Sequence, residues 1–116
     1  MKQHITLEQL NEFYINELAE KINDDYFSEL VDSFMKAENA RRENLLIEKL
    51  IGYFDIGKMI EIIERKDKRY IQLSRDYKTD YEVSIRRIGK RFTAKELVDA
   101  LWEAVKYVLE EHDDKK

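Results

Sequence analysis

The sequence predicts an α+β domain: N-terminal helices, then a three-stranded antiparallel β-meander, then a C-terminal helix packed on the sheet. Three observations predict it. Ile60-Glu61-Ile62, Tyr70-Ile71-Gln72-Leu73-Ser74 and Tyr81-Glu82-Val83-Ser84-Ile85-Arg86 alternate apolar with polar residues, the period of half-buried strands. One register serves all three. Closing hairpins on Arg65-Lys66-Asp67-Lys68 and on 76–80 aligns Ile62, Ile71 and Ile85 in one row and Ile60, Leu73 and Val83 in the next. A slip of one residue would turn a strand's apolar set to the wrong face. Finally, a sheet with one apolar face needs a cover. Phe92-Thr93-Ala94-Lys95-Glu96-Leu97 supplies its start, with Thr93 as N-cap and Glu96 at the capping-box position.

Taken in order, the chain opens with Ile5-Thr6-Leu7-Glu8-Gln9-Leu10, where Thr6 and Gln9 form a second capping box. Leu10, Tyr14, Leu18 and Ile22 follow at four-residue spacing, which predicts one helix ending at Asn23-Asp24-Asp25. Asp24 is the expected cap of the next. Phe27, Leu30, Val31, Phe34 and Met35 give that helix an apolar face, and Leu45, Leu46, Leu50, Ile51 and Phe54 resume it after a polar stretch. No Pro or Gly interrupts 25–51, so one helix of roughly 40 Å is allowed. A break near Asn39 or Asn44 is the alternative. Gly52 to Gly57 reads as a hinge, followed by a strand over 59–64. Ile56, Met59, Ile60 and Ile63 are also spaced as a helix face with Asp55 as cap, and the two apolar rows favour the strand. Gly89 suits the turn from the last strand into the last helix, where Leu97, Leu101, Ala104, Val105 and Val108 form the stripe and Val98, Trp102 and Leu109 widen it.

At 116 residues, the expectation is a single domain over 1–116, with a helical part at 5–54 and the meander plus C-terminal helix at 58–111. The chain has no cysteine, which excludes disulfides and thiolate zinc sites. No apolar run approaches the roughly 18 residues of a membrane span and nothing reads as a signal peptide. A cytoplasmic protein is expected. Charge is dense, 40% of residues, and unevenly placed. Residues 1–57 hold 6 Lys/Arg against 12 Asp/Glu, 58–92 hold 11 against 6, and 93–116 hold 4 against 7. Basic strands are thus flanked by acidic helices.

Catalytic groups are sparse. His4 and His112 stand near opposite ends, and no nucleophile elbow, phosphate-binding glycine loop or His-rich metal pattern occurs. Asp76, Asp80 and Glu82 surround one loop, but an Asp-rich turn is an ordinary strand ending. The expectation is a protein that is not an enzyme and needs neither metal nor cofactor. The sheet face away from the core is expected to carry Ile63, Tyr70 and Arg86 in one row, Glu61, Gln72 and Ser84 in the next, and Met59, Ser74 and Glu82 beyond. With Arg87, Lys90 and Arg91 at its rim, that face could neutralise phosphates and stack a base. Tyr53, Phe54, Ile63 and Tyr70 are candidates for an exposed apolar patch, which marks interfaces and can be covered by a second copy in a homodimer. Glu12, Glu17, Asp24, Asp25 and Glu29 belong to an acidic helix surface that could meet a basic partner.

Three family resemblances follow. A helix, a meander and a closing helix resemble the double-stranded-RNA-binding domain, with Gly89-Lys90-Arg91-Phe92-Thr93-Ala94-Lys95 where that family has a basic glycine-containing loop. The loop's second glycine and lysine pair are missing here, so its RNA-contacting roles are not carried over. The meander followed by Leu97-Val98-Asp99-Ala100-Leu101-Trp102-Glu103-Ala104-Val105 is similar to HicB-type antitoxins. In size, charge density and lack of cysteine, the chain resembles accessory proteins of phages and mobile elements, including anti-CRISPR inhibitors. That likeness implies stoichiometric binding. The functional expectation is therefore a non-enzymatic protein-binding module, an inhibitor of a host or defence protein. The alternative is a nucleic-acid-binding module using Tyr70, Arg86, Arg87, Lys90 and Arg91.

Overall fold

The structure, a computed structural model, describes residues 2–67, 71–75, 80–85 and 89–114. Among them the chain forms six helices and one three-stranded antiparallel sheet, an α+β fold with its last helix against the sheet. In order these are α1 (Leu7–Leu10), α2 (Ile15–Ile22), α3 (Asp25–Met35), α4 (Ala40–Tyr53), α5 (Ile56–Asp67), β1 (Ile71–Arg75), β2 (Tyr81–Ile85), β3 (Lys90–Ala94) and α6 (Leu97–Asp114). The chain divides into two compact units, His4–Phe54 and Met1–Gln3 with Asp55–Lys116.

Local hydrogen bonding sets the helices of the first unit. Thr6 Oγ1 accepts the Gln9 N–H at 3.2 Å, and Gln9 Oε1 accepts the Thr6 N–H at 2.9 Å. The capping box forms as its residues predict, but the helix it starts lasts one turn. Glu12 and Phe13 N–H groups bond the carbonyls three residues back, tightening the end of α1. A new helix begins after Tyr14, so the single helix expected over 7–22 is two. Asn23 closes α2 in the left-handed conformation (φ 54°), which Asn tolerates. Asp24 then caps α3 by accepting the Tyr26 N–H at 2.9 Å. The long stretch 25–51 also breaks, at 36–39, where Asn39 accepts the Arg42 N–H at 2.9 Å and starts α4. Within this unit α3 packs against both α2 and α4, and α1 reaches α4. Ile5, Leu18, Ile22, Phe27, Leu50 and Phe54 are fully or almost fully buried there. Phe27, Tyr53 and Phe54 meet ring to ring at 4.8 to 5.3 Å, and the Tyr53 hydroxyl donates to Asp24 Oδ2 at 2.6 Å.

In the second unit one strand is not the expected one. Ile56–Asp67 is helical, with Asp55 Oδ1 accepting the Lys58 N–H at 2.7 Å. Met59, Ile62 and Ile63 recur at helical spacing and are completely buried. The strand expected over 59–64 is thereby corrected. Its period-2 signal was three residues long, while the cap and the 3.6-residue period extend over three turns. The pairing expected for the other hairpin is present: Ile71 lies opposite Ile85 and Leu73 opposite Val83. The third strand is β3, with Val83 opposite Phe92 and Ile85 opposite Lys90. Gly89, at φ +67°, turns β2 into β3, and its N–H bonds the Ile85 carbonyl at 3.1 Å. Phe92 and Thr93 accordingly sit in a strand, and α6 starts at Leu97. Lys2 is tied to that start, its N–H donating to Glu96 Oε1 at 2.7 Å and its Nζ pairing with Asp99.

Helix α6 packs against α5 as well as against β2 and β3. That explains why its apolar stripe is so wide. Val98, Leu101, Trp102, Val105, Val108 and Leu109 are all buried, as are Ala100 and Ala104. Ring contact between Phe92 and Tyr107 (5.8 Å) joins β3 to it.

Candidate functional site

Among the described residues six large apolar side chains are exposed, and five of them, Leu7, Tyr14, Tyr26, Met35 and Leu45, belong to the unit His4–Phe54. An apolar groove of about 410 Å³ opens beside two of these. One wall is Leu7, Leu10, Asn11, Phe13, Tyr14 and Ile15, and the other is Phe34 from α3 with Ile47 and Leu50 from α4. The break between α1 and α2 creates it. A continuous helix would have laid Tyr14 one turn beyond Leu10 on the buried face, whereas the break swings Tyr14 to the rim, where 79% of it is exposed. Tyr14 is also the N-cap of α2, and its side chain makes no capping hydrogen bond. Ser, Thr, Asp or Asn is favoured at that position. An aromatic that suits neither the solvent nor the helix end is the kind of local conflict expected at a functional surface.

The segments that build this groove are rich in acidic residues. Residues 4–20 carry Glu8, Glu12, Glu17 and Glu20, all exposed, and no Lys or Arg. Further along, Asp25 and Glu29 are exposed on α3, with Asp25 in the first turn, where a carboxylate complements the helix dipole. Asp24 is different. It is partly buried and committed to the α3 cap and the Tyr53 hydroxyl, so its role is structural.

On the sheet, the face away from α6 presents Gln72, Ser84 and Arg91 in one row and Ser74, Glu82 and Thr93 in the next. Gln72 with Ser84 and Ser74 with Glu82 are neighbours as the sequence predicts, but the third column is Arg91 and Thr93, not Glu61 and Met59. Adjacent strand residues alternate faces, so Lys90 shares its row with Ile71 and Ile85 and rests its Nζ 5.5 Å from the Tyr107 ring centroid. Arg91 Nε lies 3.4 Å from Glu82 Oε1, and Glu82 also accepts from the Ser74 and Ser84 hydroxyls at 3.5 Å. Gln72, Ser84, Ile85, Gly89, Lys90 and Arg91 border a polar cleft of about 210 Å³. Tyr70, Arg86, Arg87 and Asp76 lie outside the described residues. The exposed patch expected from Tyr53, Phe54 and Ile63 is corrected by burial. Tyr53 is 8% exposed, and Phe54 and Ile63 are completely buried. Apolar side chains surface instead at Leu7 and Tyr14.

Among the described residues no three His, Cys, Asp or Glu side chains are grouped to hold a metal ion, and no helix is long and apolar enough to cross a membrane. His4 is exposed, with Nδ1 2.9 Å from the Ile5 carbonyl oxygen. The chain matches no protein-family model, no curated protein and no solved structure.

The groove was legible in part. Phe13-Tyr14-Ile15 puts three consecutive large apolar residues on what reads as a helix, where they sweep about 200° and cannot all face one core. That conflict was the available signal. Phe34 and Ile47 join the site only through tertiary packing.

Proposed function

We propose that this chain is a non-enzymatic protein-binding module that holds its partner in the apolar groove beside Tyr14. Tyr14 carries the reading. A tyrosine offers large rigid contact area with a polar tip, the property that enriches it in the energetic centres of protein interfaces. Leu7, 42% exposed on the same wall, extends the apolar surface. The resemblance to phage and mobile-element accessory proteins narrows the reading to a stoichiometric inhibitor of a host or defence protein. The second reading is nucleic-acid binding on the sheet, favoured by the polar cleft at Lys90 and Arg91. The ion pair between Arg91 and Glu82 weakens it, because a phosphate there would meet a carboxylate too.

Affinity capture from bacterial lysate, with and without nuclease, tests the two readings through variants. Under the first, one protein is retained at near-equal stoichiometry after nuclease, survives Lys90→Glu/Arg91→Glu, and is lost with Tyr14→Asp. Retention of nucleic acid that disappears with the Lys90→Glu/Arg91→Glu pair, and is indifferent to Tyr14→Asp, would establish the sheet as the working surface instead.

A further inference from the structure

We infer that the occupant of the groove is a basic amphipathic α-helix of a partner protein, a statement that rests on the protein-docking reading above. Backbone chemistry selects the helix. The groove walls are helices and a helix-linking turn, whose backbone groups are largely engaged among themselves. An extended peptide laid against Leu7, Leu10, Phe13, Ile15 and Ile47 would find no sheet edge, and its own N–H and C=O groups would lose water without replacement. A helix arrives with those groups already paired and offers apolar side chains at i, i+3, i+4 and i+7. A small apolar molecule is disfavoured by the rim. Such ligands are enclosed over most of their surface, whereas Tyr14 and Leu7 stand out into solvent, as suits a ligand that continues past the groove.

Charge selects a basic one. The wall built from residues 7–15 lies in a segment, 4–20, whose charged side chains are Glu8, Glu12, Glu17 and Glu20. The opposite wall comes from α3 and α4, which carry Arg41, Arg42 and Lys49 against Asp25, Glu29, Asp32, Glu43 and Glu48. Both walls therefore belong to elements with an excess of carboxylates. A partner helix carrying Lys or Arg beside its apolar face complements both walls, and an acidic helix is repelled.

The test uses the whole chain and a fluorescent synthetic peptide of about 18 residues, five helical turns, with leucines on one face and lysines on the other. One control peptide redistributes the same residues so that no face is apolar, a second replaces every lysine by glutamate, and a third is a proline-rich peptide of equal charge. The amphipathic lysine peptide should bind by anisotropy and lose about tenfold or more with Tyr14→Asp or Leu7→Glu. The pair Glu8→Lys/Glu17→Lys should weaken it severalfold. Equal binding of the redistributed or proline-rich peptide would overturn the helix. Equal binding of the glutamate peptide, still lost with Tyr14→Asp, would overturn the basic partner and leave the docking groove standing. Indifference of every peptide to Tyr14→Asp would remove both, as would sedimentation showing a dimer of the chain that Tyr14→Asp splits, because a second copy would then be the occupant.

Discussion

Tyr14 and Tyr53 are two tyrosines in one unit with opposite fates, and their surroundings say why. Tyr53 is enclosed by Phe27 and Phe54, and its hydroxyl reaches Asp24 Oδ2 at 2.6 Å. A hydrogen bond to a charged acceptor is worth more than a neutral one, and this one also steadies the residue that caps α3. Tyr53→Phe keeps the ring contacts and removes that bond, so denaturant titration should show a loss of about 1–2 kcal/mol. No loss would mean that water replaces the phenol at no cost. Tyr14 makes no such bond and leaves most of its surface in solvent. Placing aspartate there gives α2 a side-chain cap at an extended N-cap position (φ −73°, ψ 126°). Tyr14→Asp should therefore raise stability by about 1 kcal/mol. A variant that gains stability as it loses its partner is the pattern of a residue kept for function; if stability falls instead, Tyr14 is a structural residue and the groove loses its strongest support.

At the scale of elements, the hairpin β2–β3 offers the sharpest check. Gly89 turns it at φ +67°, and among the described residues nothing lies within 4 Å of where a Cβ would stand. The cost of a side chain there is conformational alone. Gly89→Ala should destabilise by roughly 1–2 kcal/mol, and Gly89→Asn by less, because Asn visits the left-handed region more readily. Equal effects in the two variants would contradict the turn. The elements also explain what could be read from residues alone. The pairing of β1 with β2 was legible because Ile71, Leu73, Val83 and Ile85 fix a register by themselves. The third strand was not. Ile60 and Ile62 satisfied the same two rows as well as Phe92 does, and a threonine followed by Glu96 imitated a capping box where Thr93 is paired in a strand. The width of the α6 stripe held the correction. Val98, Trp102 and Leu109 have nothing to bury against in a helix that covers only a sheet, so a second helical neighbour had to exist, and α5 is that neighbour.

At the scale of the molecule, charge follows the same division as the chain. His4–Phe54 carries 5 Lys/Arg against 11 Asp/Glu, and the other unit carries 16 against 14. The negative excess thus sits entirely in the unit that bears the groove, and the other unit is slightly basic. Exposed charges act at range and are screened by salt, with a Debye length of about 10 Å at 0.1 M, whereas the contacts of Leu7, Tyr14 and Phe34 act only once water is expelled. The two should separate in kinetics. For the captured partner or the lysine peptide, raising salt should slow association severalfold and leave dissociation nearly unchanged, while Tyr14→Ser, which alters no charge, should speed dissociation and hardly alter association. If salt changed dissociation as strongly as association, the bound state would be held by ion pairs. The acidic face would then be the binding surface itself, and the apolar groove would be incidental to it.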